Sequence, residues 1–349
     1  MNNYDKYKDV GDFEFVGIDT KNFVDETFAS QSFFRDALGR FKKNKGAIFG
    51  LFCIVIILIM ALIGPVLTPY EYYQQDAKSA NFAPRIQGVE KLGVFDGSET
   101  MRVGEMSKQV NKYINAKKET GYENTYYWFG SDSLGRDIFT RTWMGARISL
   151  FIALLAVAID IIIGLTYGLI SGYFGGKVDI VMQRIAEILN GIPSLVVVTL
   201  LMLVMKPGIV TIAIAMMVTG WIGMSRIARA QMIKYKEQEF VLASKTLGAK
   251  HTFIIFKEVL PNVMGQIIIT AMFSIPRAIF NEAFLSFVGL GVPAPLASLG
   301  SLISDAFKAF TAHPYMIVPP VVVLALLMLS FNMVADGLRD AFEPKMKEM

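Results

Sequence analysis

Apolar residues in this chain come in long unbroken runs, not in the alternation of a half-buried strand or the single stripe of a soluble helix. The first run, residues 47–69, rises about 1.5 Å per residue as a helix and so covers a hydrocarbon core of about 30 Å. Five more follow, at Arg147–Gly172, Val178–Met205 with an interruption at Pro193, Gly208–Met232, Asn262–Leu290 and Tyr315–Leu338. The Lys-Pro-Gly turn at 206–208 separates the third from the fourth. Gly164, Gly168 and Gly172, four residues apart, form a small-residue stripe that allows close helix packing. The pattern predicts an all-α polytopic membrane protein of six transmembrane helices, with a core at residues 146–341.

Two segments break the pattern. Residues 70–145 hold no spanning run, and Glu71 to Glu123 is balanced in charge, which predicts a loop or small ectodomain after the first helix. Tyr122, Tyr126, Tyr127, Trp128 and Phe129 return the chain to the membrane as an aromatic belt. Ahead of the first run, Phe33, Phe34, Ala37, Leu38 and Phe41 share a helical face opposite Arg35, Asp36, Arg40 and Lys42. They predict an interfacial helix within a tail at residues 1–46. Scattered phenylalanines in an unstructured tail are the alternative, and residues 1–28, rich in acids, lysines and asparagines, fit that alternative.

Composition agrees with the pattern: 53% of residues are hydrophobic and mean hydropathy is +0.45, too apolar for one soluble core. A net charge of +4 is too small to point to nucleic acid. Its distribution reads instead as topology. Arg35, Arg40, Lys42, Lys43 and Lys45 place the N-terminus in the cytoplasm. Arg226, Arg229, Lys234, Lys236, Lys245, Lys250, Lys257, Arg339, Lys345 and Lys347 put the loop at 234–261 and the tail at 342–349 on the same side. Arg136, Arg141 and Arg147, placed outside, count against this arrangement and are outnumbered. Cys53 is the one cysteine and lies in an apolar run, so no disulfide framework exists.

The basic loop carries its own pattern, EFVLASKTLGA at 239–249 and EVLPN at 258–262. Phe240, Ala243 and Leu247 recur at helical spacing, with Glu239, Lys245 and Thr246 turned away. Gly248 stands where a left-handed residue ends a helix. Thr252 is placed to cap a second short helix through residues 253–256, and Pro261 to open the next span. Helix, tight turn and helix make a rigid knob suited to a groove on a cytosolic partner; an amphipathic connector resting on lipid is the alternative. Ionisable residues inside spans are functional candidates by default. Asp160 either lines a pathway or pairs with a neighbour such as Arg277. Glu282 joins them, and Asn190 with Pro193 marks a kink that faces a cavity or serves helix packing. Arg184 and Glu187, one turn apart, satisfy each other.

The chain holds no G-x-x-x-x-G-K-[ST]: GGK at 175–177 is followed by Val178, so no nucleotide-binding loop is expected. His251 and His313 are far apart, and neither H-E-x-x-H nor G-x-S-x-G occurs, which argues against a metalloprotease or serine hydrolase. Half-to-half similarity, the mark of many secondary transporters, is absent. A receptor built around the ectodomain would leave the cytosolic knob without a purpose.

The basic loop resembles the EAA motif of ABC importer permeases, matching it at Ala243, Gly248, Leu260 and Pro261. Leu242 stands at the Glu position and Ser244 at the second Ala. WFGSDSLGRDIFTRTWMGARISL at 128–150, SGYFGGKVD at 171–179, EAFLSFVGLGV at 282–292 and FNMVADGLRDAFEP at 331–344 are similar to the dipeptide/oligopeptide/nickel permease family, in its OppC-like subunit. ASLGSLISD at 297–305, taken with the LASKTLG loop, is most similar to the Gram-positive oligopeptide permeases. The resemblance implies a type I ABC importer (MetI-like) permease fold in a bacterial plasma membrane, with both termini cytoplasmic. It implies an OppB-like permease partner, two cytosolic ATPases that use ATP and Mg, and an extracellular lipoprotein that delivers peptide; this chain is expected to bind no cofactor and to catalyse nothing. ATPase coupling falls on Glu239, Phe240, Ala243, Ser244, Leu247, Gly248, Ala249, Leu260 and Pro261, and the candidate pathway on Asp160, Asn190, Arg277 and Glu282. Dipeptide or nickel permeation is the alternative within the family.

Overall fold

The computed structural model describes residues 33–103, 106–117 and 124–342. The expectations for residues 1–28, for Tyr122 and for the tail with Lys345 and Lys347 lie outside the described residues, as do those for the side chains of Phe33 and Phe34. A helix forms where amphipathicity predicts one: α1, Phe33–Lys43, buries Ala37 and Phe41 and leaves Arg35, Asp36, Lys42 and Lys43 exposed. It lies on the last helix of the chain. Asn44 then starts α2, Lys45–Leu67, by accepting the Ala47 N–H at 3.1 Å. This helix is apolar all round, yet only its small-residue edge, from Ala47 and Gly50 to Ala61 and Gly64, is buried within the chain. Phe52, Leu62 and Val66 on the other side are exposed, as lipid contact requires.

The segment after α2 is a folded insert and not a plain loop. An antiparallel hairpin, β1 Ser98–Val103 and β2 Met106–Asn111, is followed by the short helix α3, Lys112–Lys117. The hairpin lies within the loop or small ectodomain expected after the first helix, beside a bundle that is helical as expected. Phe82, Tyr113 and Tyr127 form the insert's own core, with Tyr70 stacked on Tyr127 at 4.5 Å. Burial pushes the Tyr127 hydroxyl up to about 12 and raises that of Tyr113, which donates to the Ala83 carbonyl at 2.9 Å. Of the predicted belt, Tyr127 packs inward instead, while Trp128 and Phe129 are half-buried against Phe139, at 4.8 and 5.0 Å. Arg136 and Arg141 are nearly buried and bind Asp132, while Arg147 donates to the carbonyls of Ala61 and Leu62. These arginines are held by contacts within the chain, so packing accounts for them whatever the charge bias asks.

The bundle proper begins nine residues earlier than expected. Asp137 caps α4, Ile138–Phe174, by accepting the Thr140 N–H at 2.8 Å. This helix continues through a π-helical turn at Asp160–Leu165. The third apolar run is two helices, α5 Gly176–Asn190 and α6 Ser194–Met205, bent by 77°. Pro193 sits just before α6, where its missing N–H costs nothing. Then come α7, Ile209–Tyr235, α8, Glu239–Thr246, α9, His251–Leu290, α10, Leu299–Lys308, and α11, Val318–Phe342. Among the described residues five helices are long and apolar enough to cross a membrane, and the bent pair counted as one span makes six.

The glycine stripe holds α4 to α7. A Cβ on Gly164, Gly168 or Gly172 would lie 2.5, 2.1 or 2.8 Å from the carbonyl oxygens of Trp221, Ser225 and Arg229. Backbones at that separation exclude any side chain. Next to this joint Asp179 of α5 takes a two-pronged bond from Arg229 of α7 at 2.6 and 2.5 Å, and accepts from Ser171 of α4. Because α4 starts beside the insert and ends beside α8, the bundle has an insert end and a loop end.

Candidate functional site

At the loop end, α8 finishes in a Schellman turn. The Ala249 N–H bonds the Ser244 carbonyl and the Gly248 N–H the Lys245 carbonyl, both at 3.0 Å, with Gly248 at φ +81°. The face assignment differs from the sequence expectation. Val241 is the one buried residue of α8, packed towards the start of α9, whereas Phe240, Leu242, Ala243 and Leu247 are all exposed, Leu247 at 87%. A helix of two turns docks through one anchor, and its remaining apolar residues face away from the chain.

The second predicted helix is also revised. Thr252 caps nothing; Lys250 holds the cap position, and α9 runs unbroken from His251 through a π-helical turn at Ile254–Val259 into Leu260 and Pro261. The Leu260 N–H bonds the Ile255 carbonyl, five residues back. The wider turn takes in Pro261, which has no N–H to give. Ser244 donates to Glu258, tying α8 to that turn, and the Tyr173 hydroxyl meets His251 Nδ1 at 2.8 Å, tying the loop to the end of α4. Lys245 Nζ lies 5.3 Å from the Tyr173 ring centroid. A serine at the degenerate motif position thus has a partner of its own. Phe253 and Phe256, beside Ala249 and Lys257, extend the exposed apolar surface along an open groove.

The in-span residues separate into three places. Asp160 and Arg277 line one cavity of about 330 Å³ between α4, α6, α7 and α9. They form no ion pair among the described residues, and Asp160 Oδ1 is buried with no hydrogen-bond partner. Gly220 permits this placement, since a Cβ there would lie 2.6 Å from that oxygen. Asn190, exposed at the end of α5, is not among the residues that line the cavity. Arg184 and Glu187 bind each other at 2.7 Å on the surface.

Glu282 stands elsewhere, fully buried in a hydroxyl network. Ser149 donates to its Oε2 and Ser286 to its Oε1, both at 2.7 Å. Ser149 in turn accepts the Leu299 N–H at 3.1 Å, and Ser286 accepts from Ser298, the cap residue of α10, at 3.0 Å. The buried carboxylate is thus linked through one hydroxyl on each side to the positive end of a helix. It fastens α10 to α4 and α9 and does not face the cavity. No sequence signal singled out these serines, which are ordinary until α10 folds back.

Two family models match the chain: the binding-protein-dependent transport system inner membrane component over residues 164–348, and the N-terminal TM domain of oligopeptide transport permease C over residues 32–84. The chain is 44% identical over 319 residues to the oligopeptide transport system permease protein OppC of Bacillus subtilis, covering 91% of this chain and 92% of that one. It is 43% identical to the dipeptide transport system permease protein DppC of the same organism, over 91% and 88% of the two chains. The DppC of Lactococcus lactis subsp. cremoris matches at 43% over 91% and 92%. Among solved structures, the inward-facing MetNI methionine ABC transporter aligns with 57% of this chain and 96% of its own, at 16% identity and TM-score 0.49.

Proposed function

The chain belongs to the binding-protein-dependent inner-membrane permeases, in the oligopeptide and dipeptide branch, and from that premise we propose how its parts serve ATP-driven peptide import. The loop end is cytoplasmic and the insert extracellular. The chain is non-catalytic. An OppB-like subunit completes the pathway, two cytosolic ATPases bind the loop and hydrolyse Mg-bound ATP, and a peptide-binding lipoprotein docks from outside. The observation that carries this reading is the set of exposed apolar side chains on α8 and its cap, Phe240, Leu242 and Leu247, on a helix stiffened by the Gly248 turn and tied to α4 and α9.

Free energy from ATP reaches the spans only as mechanical work at that contact. Movement of α8 is passed to α9 through Val241 and the Ser244–Glu258 bond, and to α4 through Tyr173 and His251. Both helices line the cavity, so displacement of the loop reshapes the pathway. Oligopeptides are the favoured cargo, given the relatives' names; dipeptide import is the second reading, since a relative of that name matches the same 91% of this chain.

The test uses two exposed positions in a Cys53→Ala background. Leu92→Cys in the insert should react with an impermeant maleimide in intact cells, while Leu247→Cys should not and should instead cross-link to a P-loop ATPase in inverted membranes. Labelling of Leu247→Cys from outside would reverse the orientation and remove the coupling role.

A further inference from the structure

The polar groups of the cavity are arranged as a line. Thr270, Ser274, Arg277 and Asn281 of α9 all face it, at spacings of four, three and four residues that keep one helical face. Eleven residues of helix extend this line over about 16 Å. The hydroxyls are not free donors: Thr270 bonds the Gln266 carbonyl at 2.8 Å and Ser274 the Thr270 carbonyl at 3.0 Å. Their oxygens therefore offer lone pairs to the cavity. Asp160, across from them, offers an acceptor that has no partner, and Arg277 and Asn281 offer donors.

An extended peptide advances about 3.3 Å per residue and presents an N–H and a carbonyl at each step. About five residues would match the length of this line. Apart from these polar groups, a peptide's side chains would meet an apolar lining that includes Val198, Met216, Met224, Ile227, Phe273 and Phe284. Separated opposite charges are costly at this depth unless something bridges them.

We propose that α9 and Asp160 form a main-chain recognition track, in which Arg277 takes the peptide carboxylate, Asp160 takes the terminal ammonium, and Thr270 and Ser274 accept from the peptide's amides. The track rests on the peptide-import reading and adds to it that this subunit binds cargo by its backbone. It gives a reason for tolerance of many peptide sequences, since every peptide carries the same main chain.

The experiment measures uptake by the complete complex in proteoliposomes, with the binding protein unchanged. A tripeptide, its N-acetyl form and its C-amide are compared across wild type, Asp160→Asn, Arg277→Gln and Ser274→Ala. Loss of a charge-assisted bond predicts that Arg277→Gln lowers uptake of the free peptide about tenfold while changing the C-amide little. Asp160→Asn should do the same for the free peptide and spare the N-acetyl form, and Ser274→Ala should slow all three by about the same small factor. Co-purification with the partner subunits checks assembly; if Arg277→Gln does not assemble, Arg277→Lys and Asp160→Asn carry the comparison. Equal losses for all peptides in the charge variants would overturn the track. So would full recovery when Asp160→Arg is combined with Arg277→Asp, which would make the two a simple ion pair. Wild-type vesicles that import none of the three peptides would instead refute peptide import itself.

Discussion

Gly248 offers the sharpest test of mechanical coupling. Its φ of +81° lies in the left-handed region, and a Cβ placed on it would touch nothing within 4 Å. The penalty for a side chain is therefore backbone strain alone, about 1–3 kcal/mol for a β-branched residue. Set against a closed turn held by two 3.0 Å bonds, that strain shifts the turn towards open forms by about 5- to 150-fold. Gly248→Val should thus release Ala249 from Ser244 and leave α8 free to pivot on Val241. The spans do not depend on an exposed turn, so the mutant should insert and pair with its sister permease as wild type does. The assay is ATPase activity of the reconstituted complex with and without peptide-loaded binding protein. Stimulation should be largely lost in Gly248→Val and mostly kept in Gly248→Asn, because asparagine enters the left-handed region at lower cost. Equal stimulation in all three forms would refute the argument that a stiff turn transmits the stroke.

Gly168→Leu should separate α4 from α7, since even a Cβ would sit 2.1 Å from the Ser225 carbonyl oxygen; a fall in thermal stability and in recovery of the assembled complex in detergent is the readout, with overpacking of about 1–3 kcal/mol or more. Glu282→Leu leaves the hydroxyls of Ser149 and Ser286 without their acceptor and should destabilise by about 1–3 kcal/mol per stranded group, whereas Glu282→Gln should retain most stability; the measurement is thermal unfolding of the detergent-solubilised complex. Burial pushes the Asp137 carboxyl up to about 6, and its Oδ1 has no partner. A folded pKa above the ordinary carboxylate value means stability present at low pH and lost as pH rises through about 6. Melting temperature should therefore fall as pH rises from about 4 towards about 6 and level off above it in wild type, and lose that component in Asp137→Asn, which keeps an acceptor for the Thr140 N–H.

Local periodicity was enough to place helices, because an apolar run of span length has only one way to satisfy its backbone in lipid. The same holds for α1, whose amphipathic pattern is visible within three turns, and for the glycine stripe on α4, whose spacing states that a backbone must come close. Gly248 was legible for an equally local reason: only a few residue types tolerate the left-handed turn that ends α8. What the sequence left open was everything that depends on which surface meets which. α8 looks amphipathic through Phe240, Ala243 and Leu247, but α9 claims Val241 instead, so the conspicuous face is the free one. Pro261 reads as a helix start, yet a π-helical turn carries α9 straight through it. Asp160, Arg277 and Glu282 are equally odd residues in equally apolar runs, and no one-dimensional pattern separates them. Tertiary structure does, because Gly220 leaves room for Asp160 at a cavity, while three serines and the folded-back start of α10 enclose Glu282. Sequence sets which groups must avoid lipid or strain, since those costs are local; only the packed chain decides which partner each one finds, since a partner can lie anywhere along it, as Ser149 does 133 positions from Glu282.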